Sequence, residues 1–205
     1  MRHFLQTAAV NRLMTFSSRL ARDCRGVAAI EFAMIVPIMF FLFVGSIEIS
    51  NALTVDRRVT QAASSSADLI ARAPSAGLST ADVDGQLVIV NQLMAPFDVN
   101  PLTVKVVSVV ARLVNGATQI KVDWSRDNKG ATPYTRNSDF ASLPAGLLAA
   151  GESVIVGEAN YNYTPFIFNY FITSAFTMKE TFYLKPRNSS CVNLLPISCV
   201  TGNNI

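Results

Sequence analysis

The chain has 205 residues, half of them apolar and 15% charged, with a formal net charge of +3. Its single histidine, His3, stands near the amino terminus, which excludes histidine triads and histidine-built metal sites from the rest of the chain. Asp123, Asp127, Glu152, Glu158 and Glu180 are scattered, and no glycine-rich phosphate loop is present, so the composition predicts a chain that is not an enzyme, with no catalytic residues, no metal and no cofactor.

Residues 1–26 read as a basic cytoplasmic leader. Arg2, Arg12, Arg19, Arg22 and Arg25 stand against Asp23, a net +4, so everything after Gly26 sums to 3 − 4 = −1. Phe4, Leu5, Ala8, Ala9, Leu13, Phe16 and Leu20 have a weak amphipathic rhythm. Two readings stay open for it: a helix lying on the inner membrane face, and a disordered basic segment.

Val27 to Ile47 is apolar except for Glu31, Pro37, Gly45 and Ser46. About 21 residues at about 1.5 Å each give roughly 31 Å, the thickness of a bilayer core. A cleaved secretory signal competes with a retained anchor here. The anchor is favoured because the basic flank is long, the apolar run exceeds a signal core of about 7–15 residues, and Glu31 interrupts it. The positive-inside rule then leaves the leader in the cytoplasm and exports the remainder. On this reading the charge is a topology signal, and no nucleic-acid partner is expected. Pro37 lies mid-span, where a proline removes one backbone hydrogen bond and can kink the helix.

Helical spacing continues past the span. Val59, Ala62, Ala63, Ser66, Ala67, Ile70 and Ala71 share one face, and Pro74 and Gly77 end the pattern, so residues 27–73 are expected as one transmembrane helix with its extension. Ser79 with Asp82 resembles a capping box opening a second helix that Pro96 closes. The Asp82-Val83-Asp84-Gly85 run lacks the later ligands of a calcium loop.

The period then changes to two. A valine-rich strand over 103–114 leads into Asn115-Gly116, a two-residue hairpin signal. The return strand alternates Ile120, Val122 and Trp124 on one face with Gln119, Lys121 and Asp123 on the other. Strands are also expected over 154–164 and 176–184, the latter with Phe176, Met178, Phe182 and Leu184 on one face. Residues 125–150 read as loop, with partner contact and mobility both open. The aromatic run from Tyr161 to Phe171 suits core packing, or an intersubunit or membrane-proximal surface. Cys191 and Cys199, both on the exported side, are expected to form a disulfide around Pro196, while Cys24 is left in the leader. The expected fold is α+β, a long amino-terminal transmembrane helix with a small antiparallel-sheet extracytoplasmic domain over 74–205.

Arg25-Gly26-Val27-Ala28-Ala29-Ile30-Glu31-Phe32-Ala33, followed by Pro37 and Glu48, resembles the TadE-like pseudopilins of the Flp (Tad) pilus system. The helix from Gln61 to Arg72 and the Tyr161-Asn162-Tyr163-Thr164-Pro165 run extend that resemblance, which covers roughly residues 25–73 and 154–187. The related TadG-like proteins share the Arg-Gly start and the proline, but commonly lack the glutamate and carry a much larger exported domain. Glu31 and the chain length favour TadE.

The resemblance implies a pilin-like fold and a minor subunit of a type IV-like pilus, anchored in the bacterial inner membrane by a single pass. It implies a prepilin peptidase that cuts after Gly26 and leaves Val27 as the new terminus. It also implies other minor pilins, the major Flp pilin and an inner-membrane assembly platform as partners, beside membrane lipid. Phe32 stands where the motif usually has tyrosine. Glu31, about one helical turn from the new Val27 ammonium, has two readings: a register mark that pairs with that ammonium on its own chain or a neighbour, and an unpartnered glutamate at the inner interface. The reading from a different class is an unprocessed, membrane-tethered periplasmic binding module or adhesin.

Overall fold

A computed structural model of the chain describes residues 26–114, 116–166, 169 and 175–199. His3, Cys24, the rhythm at 4–20, Asn115 of the hairpin and most of 167–174 lie outside the described residues. The fold is α+β, a long amino-terminal apolar helix and a small antiparallel-sheet domain. The chain divides into two units, one ending at Ile47 and one beginning at Glu48.

Helix α1 runs over Val27–Ala71 without a break. Its first part is exposed on all sides: Ile30, Phe32, Met34, Met39, Phe40 and Leu42 are each at least 60% accessible. Apolar side chains around the whole circumference are the signature of a helix that leaves water on every side. The second unit contains its carboxy-terminal part, where Val59, Ala62, Ala63, Ser66, Ala67, Ile70 and Ala71 are all buried, the face read from helical spacing. Pro37 sits inside the helix and cannot donate to the Ala33 carbonyl four residues back.

Helix α1 ends where the chain returns to cap it. Arg187 N donates to the Ala71 carbonyl at 2.8 Å, and Asn188 Nδ2 donates to the carbonyls of Arg72 and Ala73 at 3.0 and 3.1 Å. Asp68 pairs with both Arg72 and Arg187. These bonds satisfy carbonyls that a helix end otherwise leaves open. Gly77, at φ +93°, turns the chain into the short strand β1 (Leu78–Ser79). Any Cβ on Gly77 would stand 2.7 Å from Asn193 Cβ. Strand β1 pairs in parallel with β6 (Leu194–Leu195).

Helix α2 (Thr80–Asn91) opens with a full capping box. Asp82 N donates to Ser79 Oγ at 3.2 Å, and Ser79 N donates back to Asp82 Oδ2 at 2.9 Å. A 3₁₀ turn over Gln92–Met94 closes it before Pro96. Strands β2 (Leu102–Val114), β3 (Ala117–Asp127), β4 (Ser153–Tyr163) and β5 (Phe176–Leu184) form one antiparallel sheet in the order β3-β2-β4-β5. Gly116, at φ +80°, lies between β2 and β3, the left-handed conformation a two-residue hairpin loop needs.

The central strands β2 and β4 are covered on both faces. On one, Leu102, Val104, Val106, Ile155, Ala159 and Tyr161 pack with α1 and α2. On the other, Val107, Val109, Ala111, Val154 and Val156 pack with Phe140 and Leu148 from the long loop between β3 and β4. That loop is therefore the second cover of the sheet. It also closes the outer edge of β3, where Asn137 N donates to the Val122 carbonyl at 2.8 Å and Phe140 N to the Ile120 carbonyl at 3.1 Å.

Strict alternation along β3 fails at Asp123. Trp124 stands opposite Ser108 and Val122 opposite Val109, so Asp123 is an extra residue, a β-bulge. Trp124 therefore joins the core under the helices, while Val122 belongs to the opposite core with Ile120 packed against it. The simple period places all three together, and the bulge separates them.

Candidate functional site

Gly26 and Val27 stand at the start of α1. A Cβ built on Gly26 would meet nothing within 4 Å, so no packing among the described residues requires glycine there. The contrast with Gly157 is direct. A Cβ there would lie 2.4 Å from the Ala63 carbonyl oxygen and 2.9 Å from Ala67 Cβ, so that glycine is fixed by the approach of α1 to β4.

Glu31 is exposed on the first turns of α1, with Phe32 beside it at 69% exposure. Among the described residues no ion pair or side-chain hydrogen bond reaches Glu31. The helix around it has a mean hydropathy of 2.5 over its most apolar window, none of it buried by protein, and it is long enough to cross a bilayer. An ionised carboxylate in such a setting costs free energy unless a partner meets it.

Glu48, the first residue after Ile47, behaves in the opposite way. It is 6% exposed, and its Oε1 accepts from Tyr163 Oη and from Phe166 N, both at 2.8 Å. Burial first, then the carboxylate of Glu48, pushes the Tyr163 phenol well above its ordinary value. Its sequence position marked Glu48, but not the turn it holds. Tyr163 and Phe166 are 115 and 118 residues away, and only the fold brings them together.

Cys191 and Cys199 are joined in a disulfide, with Cα atoms 6.3 Å apart. The loop it closes carries Val192, whose carbonyl accepts the Trp124 indole N–H at 2.7 Å. A set of buried polar groups around Asp123 holds the β3 bulge and its loop. Asp123 is fully buried; its Oδ1 accepts from Arg112 at 3.1 Å and Arg136 at 3.3 Å, while Arg112 also donates to Asn137 Oδ1 at 2.6 Å. Burial raises the Asp123 carboxyl above its usual range, and the two guanidiniums oppose that rise without cancelling it. The Tyr134 phenol donates to Glu158 and is pushed up to about 12 by burial and by that carboxylate. Among the described residues no group of three or more His, Cys, Asp or Glu side chains could hold a metal ion.

An all-round apolar helix followed by a two-faced sheet domain defines a protein that fits a single-pass membrane topology, with its folded domain carboxy-terminal. Residues 26–68, running from Gly26 along helix α1, match the TadE-like protein family. The likeness suggests a Tad pilus-associated protein. Neither the comparison with curated proteins nor that with solved structures returned a match.

Proposed function

We propose that this chain is a minor pilin-like subunit of a Flp/Tad pilus assembly apparatus, made as a prepilin and cut after Gly26. On this reading the leader faces the cytoplasm, Val27–Ile47 holds the subunit in the inner membrane, and the sheet domain lies in the periplasm. The domain meets other minor pilins, the major pilin or the assembly platform, and primes or caps the filament. The observation that carries the reading is Gly26 itself, a glycine that no contact among the described residues requires, five residues before a carboxylate that none of them satisfies. A peptidase that must bring its catalytic groups to a backbone carbonyl benefits from a position without a side chain.

Cutting there creates a Val27 ammonium about one turn from Glu31. In a low-dielectric setting each charge alone is penalised, and the pair is favoured. Glu31 thus marks the depth at which a subunit is best satisfied. The experiment is intact-mass measurement on protein purified from its native membrane. Loss of residues 1–26 is the expected result. A chain that keeps its leader overturns the prepilin reading and leaves a static tethered binding module.

A further inference from the structure

The turn that Glu48 holds presents a largely uncovered aromatic ring among the described residues. The Phe166 ring is 85% exposed, although its backbone N–H is fixed on Glu48 at 2.8 Å. Phe176 is 47% exposed, and its ring lies 5.2 Å from that of Tyr163, the other group bound to Glu48. Phe166 also lines a cleft of about 450 Å³ with Phe97, Pro101, Tyr161 and Tyr163. Glu48 directly follows Ile47, the last residue of the apolar run. Ile49 and Leu53, next along α1, are 64% and 55% exposed. Apolar exposure therefore continues past the run, and the exposed aromatic turn is bonded to the residue at its border.

We propose that the Tyr163–Phe166 turn is a lipid-interface anchor, with the Phe166 ring seated at the headgroup level of a phospholipid bilayer. The physical logic is a division of labour within four residues. Tyr163 Oη and Phe166 N are spent on Glu48, so the Phe166 ring enters the interface with its own backbone N–H satisfied, while Thr164 stays exposed on the same turn. Phe166 has no polar group of its own to keep wet, and an exposed apolar ring gains free energy by leaving water at the headgroup–acyl boundary. The anchor gives the domain a lipid contact of its own in addition to the span. It rests on the reading of Val27–Ile47 as a membrane segment.

The test uses full-length protein in vesicles of phosphatidylcholine and phosphatidylglycerol, as wild type and as Phe166→Trp. Trp124, the only native tryptophan, is buried and common to both, so the difference emission reports position 166. Lipids brominated near the headgroup are expected to lower that difference emission by about two-fold or more, with little effect of aqueous acrylamide. Quenching by acrylamide and not by brominated lipid overturns the anchor and places the ring in water. Protection from both quenchers also overturns it and assigns the ring to a protein contact. Failure of the wild type to float with vesicles overturns the span instead, so the two failures are distinguishable.

Discussion

Gly157→Ala tests the contact on which the sheet domain is built. Gly157 lies in β4 opposite Val106 and Phe182, under the helix face of Ala63, Ser66 and Ala67. The added methyl would meet a backbone oxygen at 2.4 Å, Ala67 Cβ at 2.9 Å and Ser66 Oγ at 2.9 Å. Ser66 Oγ can rotate aside, but the Ala63 carbonyl oxygen and Ala67 Cβ cannot, so α1 must move away from the sheet. Overpacking of a tight core costs about 1–3 kcal/mol, and a backbone clash belongs at the upper end of that range. At a urea slope of about 2 kcal/mol per molar, a loss of about 3 kcal/mol lowers the midpoint by about 1.5 M. Trp124 provides the assay, since its buried indole bonded to Val192 reports unfolding of the same core. Adding Ala67→Gly removes one of the three contacts and is expected to recover only part of the loss. A Gly157→Ala midpoint within about 0.2 M of wild type would refute the close-approach argument.

Arg112→Met strips one guanidinium from the buried Asp123 and is expected to cost about 3 kcal/mol at pH 7. The cost should shrink in acid, because protonating Asp123 removes the buried charge left with Arg136 alone; an equal loss at pH 4 and pH 7 in urea melts would contradict this. Asp84, bound to Arg126 by two 2.6 Å contacts, has its carboxyl held below the usual value by that hydrogen bond. Its contribution is present above about pH 4 and lost as pH falls through the depressed value, so Asp84→Asn should flatten the acid limb of stability against pH, by about 1 kcal/mol at this partly buried pair. Cys191→Ser with Cys199→Ser opens an eight-residue closure worth about 2.5 kcal/mol in the chain-entropy model, and the Trp124 emission should shift as Val192 is released. Unchanged emission and an unchanged midpoint would show that the tail is held without the bridge.

The parts of the fold written in local patterns were legible. The small-residue face of α1, the capping box of Ser79 and Asp82, and the four strands follow from spacings that sterics and hydrogen bonding impose locally. The second cover of the sheet was not, because Phe140 and Leu148 sit in a loop with no period to reveal them. A signal existed in β2: Val104, Val106, Val107, Val109 and Val110 are all buried, and a run without alternation is how a strand covered on both faces reads. The bulge at Asp123 hid the true face of Trp124, since a strict period of two cannot express one inserted residue. The hold of Glu48 on Tyr163 and Phe166 joins residues far apart in the chain, and no local pattern encodes it.

Two carboxylates on one helix now separate a folding role from an assembly role. Glu48 is buried and satisfies two donors of its own domain. Glu31 is exposed in the apolar stretch and satisfies none among the described residues. Glu48→Ala leaves a phenol and a backbone N–H without their acceptor, a loss of about 2 kcal/mol that urea melts followed by Trp124 should show. Glu31→Ala should leave those melts within about 0.5 kcal/mol of wild type, because no fold contact is removed. Membrane insertion of Glu31→Ala should be retained, since deleting a carboxylate from an apolar helix favours the bilayer. What it should lose is co-purification with the pilins of its own system from native membranes, because the charge that sets register against a processed amino terminus is gone. Glu31→Gln should fail in the same way, because the amide keeps the size and lacks the charge. Normal assembly of Glu31→Gln would mean that no ammonium pairs with this residue, and it would remove the register role even if Gly26 proves to be the cut.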